Sequence, residues 1–173
     1  MNQKSRVRPR LWQRLTALGC VLLLVGFDQL VKRMAQAVLR ADGTSVVLIP
    51  RVFGLQYVEN TGISFSVFGD SAVMMRLVQV LTGALMLAGL ALVLAGRVRR
   101  GAPLCCTVLI LAGGVGNLVD RVLQGYVVDY FEFLFVHFAI FNLADVLIFC
   151  GVVWLVLWLL VQESSRTQTA VMP

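Results

Sequence analysis

Residues 141–161 read FNLADVLIFCGVVWLVLWLLV, and this stretch decides the fold. Past Asp145 it carries no charge as far as Val161. A run of about 20 apolar residues matches the hydrocarbon thickness of a bilayer when coiled as a helix. Trp154 and Trp158 fall near its far end, where aromatic side chains favour the membrane interface. Asn142 and Asp145 stand three apart at its beginning, so a helix puts both on one face. The segment therefore reads as a membrane span that opens on two polar groups.

Three more runs of the same kind precede it: residues 15–31, 77–96 and 103–119, the last opening on Pro103, which suits a first helical turn. Apolar residues make up 59% of the 173, against roughly 45–50% in soluble proteins, and charged residues 14% against about 25%. So much apolar surface excludes a large soluble domain. The expected fold is a mainly α membrane protein, one domain over 1–173, with four transmembrane helices. The 33–72 segment between the first two helices is expected to be extracytoplasmic and β-rich. Val46–Ile49, Val52–Val58 and Ile63–Phe68 are its candidate strands, broken by Pro50, Gly54 and Gly62. The stretch between the third and fourth helices reads as a short connection.

The net charge of +6 does not point to nucleic acid, because the basic residues flank the spans. Lys4, Arg6, Arg8, Arg10 and Arg14 precede the first span, and Arg97, Arg99 and Arg100 follow the second. Such clusters mark cytoplasmic ends. Both termini, including Arg166, are thus expected in the cytoplasm, although Lys32, Arg33, Arg40, Arg51 and Arg121 sit on the outer side. Ala17-Leu18-Gly19-Cys20 resembles a cleavable lipoprotein signal, but the apolar run continues to Val31, so it reads as a retained helix. Cys20, Cys105, Cys106 and Cys150 all lie in apolar runs without metal-ligand spacing and read as packing residues.

The polar residues converge at one depth. Asp28 and Lys32 stand four apart at the outer end of helix 1, close enough to pair. Asn117, Asp120 and Arg121 share a face at the outer end of helix 3, and Asn142 and Asp145 share one at the start of helix 4. Asp129 lies in the connection between those helices. An ionisable group beside a span is a functional-site hypothesis by default. Asp28–Lys32 and Asp120–Arg121 can be explained as structural pairs that fix helix ends. Asp129 and Asp145 have no basic residue at helical spacing, and His137 is the nearest cation in sequence.

One histidine and no HExxH exclude familiar zinc hydrolysis. A Ser–His–Asp triad would need His137 with Ser64 or Ser66, and a Ser–Lys dyad would need Lys32, which has Asp28 beside it. Two carboxylates fit better. Held together at a dehydrated site they share a proton, so that one activates water and the other polarises the scissile carbonyl. The dipole of helix 4 favours the ionised form of Asp145, while desolvation opposes it. Spacing leaves the pair open among Asp120, Asp129 and Asp145. The other class of function consistent with such a cluster is a small multipass transporter or ion-pathway protein, and a third is an assembly subunit in which the cluster is structural.

Five strings narrow this. Phe27-Asp28-Gln29-Leu30-Val31-Lys32, Val58-Glu59-Asn60-Thr61-Gly62 through Phe65-Ser66, Gly113-Gly114-Val115-Gly116-Asn117-Leu118-Val119-Asp120-Arg121, Val127-Val128-Asp129-Tyr130 and Phe141-Asn142-Leu143-Ala144-Asp145 occur in that order. In these strings and in its four-span layout, the chain resembles the bacterial lipoprotein signal peptidases, the type II signal peptidases. The resemblance implies a bacterial inner-membrane aspartic endopeptidase that needs no cofactor or metal. Its site would lie near the periplasmic face, and it would cut prolipoproteins before a diacylglyceryl-modified cysteine. It also implies Asp129 and Asp145 as the catalytic pair, and Asn60, Gly62, Asn117, Arg121 and Asn142 as substrate-binding residues. Asp28, Lys32 and Asp120 would support them. Ile63-Ser64 departs from the small residues usual after the glycine. The expected partners are prolipoprotein substrate and membrane lipid, with no nucleic acid, and nothing in the sequence demands an oligomer.

Overall fold

The computed structural model of the chain describes residues 10–42, 45–62 and 72–171. Four helices carry it: α1 (Leu11–Asp42), α2 (Ala72–Leu94), α3 (Ala102–Leu123) and α4 (Leu143–Val171). All four are long and apolar enough to cross a membrane. Three strands, β1 (Val46–Ile49), β2 (Phe53–Asn60) and β3 (Val127–Phe133), form an antiparallel sheet in the order β1-β2-β3. Lys4, Arg6, Arg8, Ile63, Ser64 and the candidate strand at 63–68 lie outside the described residues, as does the Arg166 side chain.

Each span is found where its apolar run lies, but α1 exceeds its run by most at the outer end. At about 1.5 Å per residue its 32 residues reach well beyond a ~30 Å hydrocarbon core. The projecting turns have their own partner: Leu39 is buried against Val128 and Tyr130 of β3. Arg40 adds an ion pair to Glu59 of β2 at 3.1 Å. Residues 33–42 are therefore helical, which corrects the β-rich expectation for that part of 33–72. The larger correction is β3. Residues 127–133, taken as part of a connection, pair with β2 from Phe53↔Phe133 to Asn60↔Val127. A strand whose partner lies some 70 positions upstream leaves no mark in local spacing.

α3 is the centre of the bundle, packing on α1, α2 and α4. Glycine makes the tightest approach possible. A Cβ at Gly113 would collide with the Ala144 carbonyl of α4, and one at Gly116 would stand 2.6 Å from Asp28 Oδ2 of α1. α2 leaves Val73, Val80, Leu85 and Leu87 exposed, as a lipid-facing surface does.

Candidate active site

The first turn of α4 is where the site begins. A helix opens on N–H groups that lack intrahelical acceptors, and here each finds a side chain. Asn142 N–H donates to Asp145 Oδ2 at 3.1 Å, and Asp145 N–H donates to Asn142 Oδ1 at 3.0 Å. This reciprocal arrangement is a capping box. Leu143 N–H donates to the Tyr130 hydroxyl at 3.2 Å, and Ala144 N–H to Asp28 Oδ1 at 3.0 Å. One helix end thus draws together α1, β3 and α4.

Those bonds fix the amides around the carboxyl groups. Since Asn142 Oδ1 faces the Asp145 N–H, its Nδ2 points the other way. It donates to Asp129 Oδ1 at 2.6 Å and to Asn117 Oδ1 at 3.1 Å. Lys32 can only donate, and its Nζ meets Asn117 Oδ1 at 2.9 Å. The Asn117 Nδ2 is thereby turned onto Asp145 Oδ1, at 2.7 Å. Asn60 is oriented in the same manner: its Oδ1 accepts from Gly62 N–H at 3.0 Å, leaving Nδ2 to donate to Asp129 Oδ2 at 2.8 Å. Both oxygens of Asp129 and both of Asp145 therefore have fixed donors.

Asn60 reaches Asp129 because β2 contains an irregularity. The register shifts by one residue between Leu55 and Val58. A one-residue slip turns a strand's side chains to the opposite face, so without it Asn60 would point away from Asp129. Phe141, immediately before the cap, exchanges backbone hydrogen bonds with Phe131 at 2.7 and 3.0 Å. That clamp aligns the strand carrying Asp129 with the helix carrying Asp145.

A second layer of charge lies beneath. Lys32 is buried between Asp28 Oδ2 and Asp120 Oδ2, at 2.9 Å from each. Asp120 also accepts from Gln29 Nε2 at 2.8 Å and from Val128 N–H at 3.3 Å, which ties β3 to α3 next to Asp129. The pairing Asp120–Arg121 considered from sequence is thus corrected: Asp120 belongs to Lys32. Arg121 instead extends its guanidinium to the Gly62 and Asn117 carbonyls, each at 3.4 Å, with its Nε buried and unpartnered among the described residues. His137, the nearest cation in sequence, is exposed, whereas Lys32 acts on Asp129, and Arg121 lies close enough to interact with Asp145 and Asp129.

Burial divides the residues by duty. Asp28, Lys32, Asn117, Asp120, Asp129 and Asn142 are all buried, while Asp145, Asn60 and Arg121 remain half-exposed and form the open side. Burial pushes the Asp129 carboxyl up to about 6, with the Asp145 charge adding to the rise and the amide donors of Asn60 and Asn142 opposing it. Two carboxyl groups bridged by one asparagine, one of them resisting ionisation, can share a proton and handle water. Among the described residues no three His, Cys, Asp or Glu side chains gather as a metal site. Helical spacing suggested the contacts within helices. It did not show Tyr130 as a cap or Gln29 as a partner of Asp120, because those contacts cross between elements.

A family model for signal peptidase (SPase) II matches residues 20–161. The lipoprotein signal peptidase of Clostridioides difficile is 35% identical over 148 residues, covering 84% of this chain and 95% of that protein. That of Streptococcus pneumoniae is 37% identical over 160 residues, covering 84% and 92%. Two solved structures of bacterial membrane enzymes share the fold. One has a TM-score of 0.77 at 23% identity, covering 94% of this chain and 96% of its own. The other has a TM-score of 0.71 at 25% identity, covering 90% and 97%.

Proposed function

Because the chain belongs to the signal peptidase II family, a family of aspartic-type proteases, we propose that it removes signal peptides from prolipoproteins with Asp129 and Asp145 as the catalytic pair. The observation that carries this reading is Asn142, which donates its amide to Asp129 and its backbone N–H to Asp145. Lys32 and Gln29 also join two carboxyl groups, Asp28 and Asp120, but that pair is fully buried and ion-paired to the lysine. The cluster also lies at one end of the bundle, beside the sheet, which suits cutting at a membrane surface better than carrying an ion through the middle.

The pair holds one proton between its two carboxyl groups. The ionised carboxylate takes a proton from water as the water oxygen bonds to the scissile carbonyl carbon. The protonated partner donates to the carbonyl oxygen, giving a tetrahedral diol. Collapse breaks the C–N bond: the departing amine nitrogen takes up the proton abstracted from water, and one diol hydroxyl returns its proton to the carboxylate that gave one, restoring the singly protonated pair. Arg121, half-exposed and already bonded to the Gly62 carbonyl, is placed to hold substrate backbone. Asn60 and Gly62 form the lip on the sheet side.

The substrate in this reading is a prolipoprotein whose cysteine bears a diacylglyceryl group, cut just before that cysteine. Its scissile bond then lies at the interface while its signal helix and acyl chains stay in lipid. In this reading the opposite end of the bundle, rich in basic residues, faces the cytoplasm together with both termini, in keeping with the positive-inside rule. The site accordingly faces the periplasmic side of the inner membrane. The chain acts as a single monomeric domain.

The test is cleavage of a diacylglyceryl-modified prolipoprotein by the purified chain, with Asp129→Asn and Asp145→Asn variants at equal folded amounts. Loss of roughly a thousandfold or more in both variants is expected. Full activity in either variant would exclude that residue and make Asp120 the next candidate.

A further inference from the structure

At the end of the bundle away from the carboxyl groups, α1, α3 and α4 leave an open groove of about 420 Å³. Its walls include Trp12, Thr16, Cys20, Leu104, Val108 and Trp154. Thr16 spends its hydroxyl on the Trp12 carbonyl at 2.8 Å, so even this wall residue turns little polarity outward. Along α1 the groove runs from Trp12 to Leu24, about 18 Å at 1.5 Å per residue. One leaflet contributes about 15 Å, half of a ~30 Å hydrocarbon core. The groove is therefore as long as the apolar part of one leaflet is deep.

Its mouth has the opposite character. Arg100 lines it, with a buried Nε that has no hydrogen-bond partner among the described residues. Gly101 beside it is the N-cap of α3, and no side chain caps that helix end. A helix N-terminus favours negative charge. Arg14 and Arg99 are at the same end but engaged, Arg14 on the Leu94 carbonyl and Arg99 over the Trp158 ring. Among the described residues, Arg100 is thus the cation that lines the groove, at an end of the bundle that also carries Arg14 and Arg99.

We propose that this groove is a binding site for one anionic phospholipid of the leaflet opposite the catalytic site. An acyl chain fills the apolar channel, and the head-group phosphate sits on Arg100 and the start of α3. Charge decides against the other apolar occupant, a substrate signal helix. Signal peptides carry basic residues before their apolar run, and these would face the arginines.

Native mass spectrometry of the full chain tests the proposal, with phosphatidylglycerol and phosphatidylcholine of matched acyl chains in equal amounts. One phosphatidylglycerol per chain is expected, favoured over phosphatidylcholine roughly tenfold. Arg100→Gln should lower phosphatidylglycerol to the phosphatidylcholine level. Cys105→Trp, on an exposed wall residue, should fill the channel and reduce both. Thr16→Trp serves if that variant fails to fold. Equal retention of the two lipids, or an unchanged preference in Arg100→Gln, would overturn the proposal. Displacement of the lipid by a synthetic signal-helix peptide would assign the groove to substrate and overturn it as well.

Discussion

Asn142 and Asp145 cap one another, each backbone N–H bonded to the other's side chain, at 3.1 and 3.0 Å. One carboxyl group of the proposed pair is therefore also part of the lock that starts α4. Structural and catalytic duties of Asn142 separate by side-chain length. Asn142→Ser keeps a good capping oxygen but cannot reach Asp129. It loses the buried Nδ2 bonds to Asp129 and Asn117, so it should melt below the wild type but above Asn142→Ala, while turnover falls about a hundredfold from the misplaced carboxyl. Asn142→Ala should lose the same activity and about 1 kcal/mol more stability than Asn142→Ser. Thermal melts and turnover on one preparation check both, and a fully active Asn142→Ser would remove Asn142 from the site.

The pKa of Asp129 has a consequence for stability. Burial holds its carboxyl at about 6 in the folded chain, against about 3.9 for an unperturbed aspartate. Between these values the folded state binds more protons, so stability falls as pH rises through that window. The contribution is on the order of 3 kcal/mol, present below about pH 4 and lost above about pH 6. Asp129→Asn has no such group to titrate. The wild type should lose more stability than this variant between pH 4.5 and 7.5 in detergent; parallel melting curves would refute the assignment.

The same carboxyl shapes the rate profile. In the free protein the shared proton leaves near pH 6, so kcat/KM should decline above that value. Substrate bound in the proposed manner would cover the open side of the site, remove more water from Asp129 and raise its pKa further. The descending limb of kcat should lie at higher pH than that of kcat/KM. Steady-state rates from pH 4.5 to 9 decide this, and coincident limbs would show that substrate does not desolvate the pair.

Lys32 balances two buried carboxylates, Asp28 and Asp120. Lys32→Met leaves both without a cation, a loss of about 3–5 kcal/mol by analogy with other broken buried pairs. Little folded protein should accumulate. Adding Asp120→Asn removes one of the stranded charges and should restore part of the yield. Wild-type accumulation of Lys32→Met would mean the pairs contribute nothing to folding.

The spans were legible because a 20-residue apolar run means one thing in a chain this poor in charge. Asp28–Lys32 was legible too, since a four-residue step on a helix is a contact. What spacing hid was everything joined across elements. Val127–Phe133 has the β-branched and aromatic content of a strand, yet only β2 gives it a reason to extend. The slip between Leu55 and Val58 that brings Asn60 to Asp129 lies within an unremarkable sequence. Spacing also left the pair open among Asp120, Asp129 and Asp145. What separates Asp120 from the other two is its cation: it is fully buried and ion-paired to Lys32, whereas Asp129 and Asp145 are held by amide and backbone donors.

The N–H groups that open α4 find acceptors on Tyr130, Asp28, Asn142 and Asp145. Asp28 is synthesised 116 residues before the Ala144 amide that it accepts from. A nascent chain with three helices in the bilayer thus has β3 with Asp129, and Lys32 with its two carboxylates, but neither Asn142 nor Asp145, which arrive with α4. If Asp129 and Asp145 are the catalytic pair, proteolysis can begin only after α4 has joined the other three helices, so assembly itself would time the activity.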